Sequence, residues 1–239
     1  MDKEKINLPS SPSVKKTTFV GSPQMNYKVL KYLEKKFKEN CCVIIPPINY
    51  KYNDYDHNDI SLRWTQVYLK KGYFSIPKNY WNIFKKCDND KRFIVFPFGF
   101  NCLNKSGHAN YMIYDKTKKT LERFEPYGKS TRICANPTDL DKKIKNLFKE
   151  NLGDNFVKKY FKPLDFMPEN SFQHIQEKEN KFIKYDPDGF CAAWSCWYAE
   201  LRLSNPDKDR KKLVELALKK LENEDDFTAY IRGYSMTIF

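Results

Sequence analysis

Between Tyr27 and Phe37 the apolar residues Val29, Leu30, Leu33 and Phe37 recur at the spacing of one helical face, which predicts a helix. Cys42-Val43-Ile44-Ile45 reads as a short buried strand stopped by Pro46-Pro47, with a polar loop following to about Asn58. A short helix is predicted over 77–84, with Pro77 in its first turn. Phe93-Ile94-Val95-Phe96 is a strand, followed by Gly99 and a loop reaching Gly107. Two further strands, His108 to Tyr114 and Leu121 to Glu125, flank the polar turn Asp115 to Thr120. Thr138 with Asp141 resembles a capping box, opening a helix that runs to Asn151 and stops at Gly153. After an irregular middle, helices are predicted at about 190–203 and 208–222. No internal repeat interrupts this order.

The first 24 residues are different. Pro9, Ser10, Ser11, Pro12, Ser13, Gly21, Ser22 and Pro23 give a flexible arm with little to pack, leaving residues 25–239 as one domain. The 239-residue length suits a single sizeable core. No apolar run of membrane-spanning length occurs, and the first 20 residues lack the apolar stretch of a secretion signal. The expectation is a soluble protein made in a cytoplasm, without membrane partners.

A formal charge of +13 invites nucleic-acid binding, but the lysines are dispersed in pairs such as Lys35-Lys36, Lys118-Lys119 and Lys158-Lys159. Nucleic acid is therefore expected only as an accessory partner of the basic surface. Seven cysteines and no secretion signal argue against a disulfide framework, so most thiols should be small buried hydrophobes. Cys102 and His108 lack two further ligands at metal-site spacing, so neither metal nor cofactor is expected.

The chemistry collects in three places. Cys191 follows Asp188-Gly189-Phe190 and opens the apolar run Ala192, Ala193, Trp194, Trp197, Tyr198, Leu201, so the thiol falls in the first turn of a buried helix. Gly189 allows a tight turn there. A helix N-terminus lowers a thiol's pKa from about 8.5, towards the reactive thiolate. His108 begins a strand whose Ala109, Tyr111 and Ile113 face the core, which sets His108 on the other face with Asn110 and Met112. A histidine suits the shuttling of the thiol proton to a leaving amine. If His108 pairs opposite Tyr127, Glu125 is its diagonal neighbour on the same face, about 7–8 Å away by Cα. A one-residue slip would put Glu125 on the wrong face. Trp194, Trp197 and Tyr198, like Phe93, Phe96 and Phe98, read as core. His57 and His174 have no carboxylate on a partner strand.

The runs Gly107-His108-Ala109-Asn110-Tyr111-Met112-Ile113-Tyr114-Asp115, Phe124-Glu125-Pro126-Tyr127-Gly128 and Gly189-Phe190-Cys191 resemble the adenoviral (adenain) and SUMO-type deconjugating cysteine proteases, and most of all divergent members encoded by large DNA viruses. The likeness spans about residues 93–203. It implies an α+β, papain-like/adenain-like cysteine protease fold, with a small mixed sheet packed on a central helix that starts at the nucleophile. It also implies a triad of Cys191 as nucleophile, His108 as base and Glu125 as orienting carboxylate. The family places Gln or Asn a few residues before the cysteine as an oxyanion donor; position 185 is Tyr, Asp188 cannot donate when ionised, and Ala192 stands where Gly is common. Gln173 and Gln176 are the oxyanion candidates.

The function implied is thiol-dependent hydrolysis of a peptide or isopeptide bond. The partner would be a protein substrate: a viral precursor, which is slightly favoured, or a ubiquitin-like conjugate. A viral enzyme of this kind would work in the host cytoplasm or the virion. Two other readings fit the same residues. One is a catalytically inactive relative serving as a basic virion or nucleic-acid-associated protein. The other is an acyltransferase working through the same thioester.

Overall fold

The computed structural model describes residues 5–14, 16–19, 23–45, 61–68, 71–87, 90–103, 107–129, 137–184, 186–187, 189–222 and 226–238. One mixed seven-stranded sheet organises the chain. Its strands are β1 (Cys41–Val43), β2 (Leu62–Tyr68), β3 (Lys71–Ser75), β4 (Phe93–Asn101), β5 (Gly107–Asp115), β6 (Thr120–Phe124) and β7 (Lys159–Phe161). The spatial order is β3-β2-β4-β5-β6-β7, and β1 pairs in parallel with the first residues of β4. The helices are α1 (Pro23–Lys36), α2 (Tyr80–Lys86), α3 (Pro137–Leu152), α4 (Pro163–Phe166), α5 (Phe172–Lys178), α6 (Cys191–Ser204), α7 (Arg210–Glu222) and α8 (Phe227–Thr237). None is long and apolar enough to cross a membrane.

Strand alternation divides the core into two layers. Phe93, Val95, Tyr111, Ile113 and Phe124 face α6 and its surrounding helices. Ile94, Phe96, Phe98, Met112, Tyr114 and Leu121 face α2 and α3, meeting Tyr80, Phe84, Ile144 and Phe148. Helix α6 is buried along nearly its whole length, with Trp194, Trp197 and Tyr198 fully enclosed. A helix apolar on every side belongs in the middle of a core. The expected architecture, a mixed sheet on a central helix beginning at Cys191, is the one observed.

Several sequence expectations change. Strand β4 does not end at Phe96 but continues through Pro97 and Gly99 to Asn101. Proline is tolerated mid-sheet because β1 pairs only as far as Val95 and β2 begins pairing at Phe98, so Pro97 falls in the gap between them. The β2–β3 hairpin, β7, α4, α5 and α8 were not foreseen. Helix α3 starts at Pro137, so Thr138 lies inside it rather than at a cap, and Asp141 turns to Arg123 instead. Its stop at Gly153 holds: φ is +91°, and the Gly153 N–H donates to the Lys149 carbonyl at 2.9 Å.

The N-terminal stretch, expected as a flexible arm, packs where it is described. Ile6 and Phe19 are buried, Tyr230 Oη donates to the Pro9 carbonyl at 2.6 Å, and Ser11 Oγ donates to the Tyr230 carbonyl at 2.5 Å. A Cβ on Gly233 would sit 1.9 Å from the Pro12 oxygen, so α8 needs glycine there for the chain to lie against it. The expectation of unpaired thiols also fails in part. Cys42 and Cys87 form a disulfide with Cα atoms 5.8 Å apart, and Cys102 is disulfide-bonded too. The end of α2 brings Cys87 beside β1, a proximity that a cysteine count cannot reveal. Cys41, Cys191 and Cys196 are free.

Candidate active site

Register decides whether His108 and Glu125 meet. Strands β5 and β6 pair Tyr111 with Phe124 and Met112 with Arg123, a register that continued outward sets His108 opposite Tyr127. His108, Asn110, Arg123 and Glu125 therefore share a face. His108 Nε2 lies 2.8 Å from Glu125 Oε1, both side chains buried. With Nε2 so engaged, Nδ1 is the nitrogen left to face Cys191, whose thiol is near enough to raise the ring's pKa. Assignment of the ring proton follows from this network.

The Glu125-Pro126-Tyr127-Gly128 turn holds the carboxylate in place. The Tyr127 N–H donates to Glu125 Oε1 at 3.2 Å, and the Gly128 N–H donates to the Glu125 carbonyl at 3.0 Å. Gly128 has φ +99°, and a Cβ there would lie 2.4 Å from the Pro168 oxygen, so both conformation and space require glycine. The same turn anchors α5: Gln173 N–H donates to the Pro126 carbonyl at 3.0 Å and Ser171 N–H to the Tyr127 carbonyl at 3.2 Å. One turn thus sets both the acid and the helix bearing the glutamines.

Cys191 is the first residue of α6 and stays partly exposed. Phe190 at the N-cap gives no side-chain cap, so the nucleophile sits beside first-turn amides at the positive end of the helix. Ser195, one turn further in, donates Oγ to the Ala109 carbonyl at 3.0 Å. That bond pins α6 to β5 at the residue following His108, fixing sulfur and ring relative to one another. The sequence signal is a serine inside an apolar stretch of helix, four residues after the cysteine.

The electrostatics follow from this packing. Burial alone would lower the His108 pKa, but the Glu125 carboxylate and the hydrogen bonds to Cys191 and Glu125 outweigh it, and the ring is pushed up to about 10. Burial would raise Cys191; the hydrogen bond and charge of His108, with a backbone hydrogen bond at Ala109, bring it below the ordinary 9.0. Glu125 is likewise held below the usual carboxylate value despite burial, by His108, Arg123 and the Tyr127 amide. The arrangement favours a thiolate–imidazolium pair backed by a carboxylate.

The two glutamines separate. Gln173 is buried and reaches the segment before the nucleophile, where a Cβ on Gly189 would approach its Nε2 to 3.1 Å. A side chain at 189 would make the Gln173 amide give by a few tenths of an ångström; Gly189 is not among the glycines with positive φ. Gln173 Nε2 donates to Tyr127 Oη at 3.1 Å and to Glu177 Oε1 at 3.0 Å. Tyr127 Oη in turn donates to Glu177 Oε1 at 2.5 Å. Gln176 is buried with neither amide atom hydrogen-bonded. His174 is buried on α5. His57, Tyr185 and Asp188 lie outside the described residues. Among the described residues no group of three or more His, Cys, Asp and Glu side chains could hold a metal ion.

No protein-family profile matches the chain. A protein of Acanthamoeba polyphaga mimivirus, named as an ankyrin repeat protein, is 31% identical over 258 aligned positions, which cover 99% of this chain and 34% of the relative. The chain thus spans about a third of the length of that curated relative. Among solved structures, ChlaDub1 of Chlamydia trachomatis is similar with a TM-score of 0.45 at 10% identity, covering 97% of this chain and 96% of its own. The Chlamydia trachomatis effector Cdu1 bound to ubiquitin gives 0.44 at 12% identity, covering 92% and 94%. The C-terminal Ulp1 protease domain in complex with Smt3, the yeast orthologue of SUMO, gives 0.41 at 16% identity, covering 91% and 75%.

Proposed function

We propose that this chain is a cysteine protease of the adenain and SUMO-deconjugating kind, hydrolysing peptide or isopeptide bonds with Cys191 as nucleophile. The observation that carries the reading is the buried His108 imidazole held by Glu125 at 2.8 Å, with Cys191 close enough that ring and thiol each shift the other's ionisation. The Cys191 thiolate adds to the scissile carbonyl carbon. The His108 imidazolium then gives its proton to the leaving nitrogen as the C–N bond breaks, leaving a thioester on Sγ. Water adds to the thioester carbon, His108 accepts its proton, and the C–S bond breaks to release the acid. Glu125 keeps the ring oriented and supports its positive charge.

Oxyanion stabilisation falls to first-turn amides of α6, joined by Gln173, the glutamine packed against Gly189, if its Nε2 exchanges its bond to Tyr127 or Glu177 for the oxyanion. Gln176, the other candidate, is buried with neither amide atom hydrogen-bonded. The substrate proposed is a protein carrying a ubiquitin-like modifier or a precursor awaiting cleavage. Ubiquitin and SUMO carrying a fluorogenic C-terminal amide are the first probes, followed by a panel of viral precursor peptides. Release of fluorophore or peptide by the wild-type chain, abolished in Cys191→Ser, supports the reading. Absence of turnover on every probe, together with no reaction of Cys191 with an electrophilic ubiquitin-like tail, would refute it and favour the inactive relative.

A further inference from the structure

Behind Glu125 a buried polar chain continues away from the nucleophile. Glu125 Oε2 accepts from Asn110 Nδ2 at 3.2 Å, and Asn110 Oδ1 accepts from Arg123 Nη1 at 2.9 Å. The same Nη1 lies 3.6 Å from Glu125 Oε2. Arg123 is gripped by Asp141 of α3, with Nε to Oδ1 at 2.9 Å and Nη2 to Oδ2 at 3.2 Å. Tyr160 Oη of β7 donates to Asp141 Oδ1 at 2.6 Å. Asn110, Arg123 and Asp141 are all nearly inaccessible to solvent. From α6 to α3 the ionised groups alternate in sign: Cys191, His108, Glu125, Arg123, Asp141.

We propose that Arg123, anchored by Asp141 and bridged by Asn110, is a positioning residue that fixes the Oε2 side of Glu125 so that Oε1 is presented to His108. The inference rests on the reading that Cys191 and His108 are catalytic, and deepens it. His108 and the Tyr127 amide both engage Oε1, so the plane of the carboxylate is fixed only when Oε2 is held as well. Asn110 holds it with a neutral donor, and Arg123 holds Asn110. Only a planar fork meets the requirement, because two of its nitrogens bind Asp141 while the third turns to Asn110. Lysine's three donors sit on one nitrogen and cannot reach both Asp141 oxygens and Asn110 in the spread geometry of the fork. Buried ion pairs are poor stabilisers compared with apolar packing, so stability alone does not account for a charged line ending on the histidine's acid.

The groups facing Glu125 are His108 and Asn110 from β5, Arg123 from β6, the Tyr127 amide and phenol after the turn, and Cys191 from α6. Loosening Glu125 weakens support for the imidazolium, and the thiolate then forms only at higher pH.

The test is the rate of Cys191 alkylation by iodoacetamide in the full chain, read by mass spectrometry from pH 4 to 10. Arg123→Gln paired with Asp141→Asn removes both charges while leaving hydrogen-bonding groups in place. The expected result is at least a tenfold slower reaction at pH 7 and an acid limb moved to higher pH. Arg123→Lys should restore the position of the limb but not the full rate. Asn110→Leu, which leaves the ion pair intact, should move the limb in the same direction and serves if the paired variant fails to fold. Wild-type rates and limbs in the paired variant or in Asn110→Leu overturn the proposal. Failure of the underlying reading looks different: wild-type Cys191 would then react no faster than an ordinary thiol, and His108→Ala would change nothing.

Discussion

Glu122 and Arg123 are neighbours on β6 yet belong to two separate buried charge clusters, one on each face of the sheet. Glu122 points toward α6, where it meets Arg202, Arg210 and the Tyr198 hydroxyl, and Arg210 also donates to Thr120 Oγ1 at 2.8 Å. That cluster is closed: Glu122 and Arg202 are 1% exposed, Arg210 8%, and every charge is paired inside it. Arg123 points toward α3, and its cluster runs through Asn110, Glu125 and His108 to Cys191, a partly exposed residue. The chemistry of the two is alike. What differs is that one line of charge ends at Cys191, a residue that is only partly buried, and on the proposed reading its ionisation is the one that acts on a substrate.

The comparison is broken most severely by Glu125→Gln. Shape is kept and the charge behind His108 is lost, so turnover should fall by something on the order of 10²–10⁴-fold, read as kcat/KM on a responsive substrate. Little change in melting temperature should accompany it. Glu122→Leu should do the reverse. It strands Arg202 and Arg210 without their carboxylate, an uncompensated burial costing about 3–5 kcal/mol, measured by denaturant unfolding. The activity of the molecules that remain folded should match wild type. If Glu122→Leu lowers kcat/KM as far as Glu125→Gln at equal folded fraction, the division between a closed and an open cluster is wrong.

The same division explains what the sequence disclosed. His108, Glu125 and Cys191 were legible because strand alternation, a two-strand register and a helix start each fix one of them locally. Arg123, Asn110 and Ser195 were not singled out, since their roles depend on bonds across strands and layers. Gln173 was reachable only as one of two glutamines. The Glu125-Pro126-Tyr127-Gly128 turn ties down α5 and sets the Gln173 amide beside Gly189, a placement no local pattern records. The β2 strand escaped notice although Leu62 and Trp64 alternate with polar Arg63 and Thr65, because only its first half is deeply buried. The N-terminal stretch misled for a different reason. Much of its attachment to α8 comes through backbone carbonyls, as Pro9 shows with Tyr230 and Pro12 with Gly233, and a hydropathy pattern carries no record of such contacts.

Two thiols on one helix provide the sharpest control. Cys191 opens α6 beside His108, with its pKa lowered, whereas Cys196 lies five residues on, fully buried, where burial pushes its thiol up. Alkylation of both cysteines in the same sample, followed by mass spectrometry across pH, therefore tests the central claim. Cys191 should react at neutral pH, with its acid limb below 9.0 and a second change near pH 10 as His108 gives up its proton, while Cys196 stays unmodified until the chain unfolds. A Cys191 profile that rises only around 9.0 and is unchanged in His108→Ala would contradict the account.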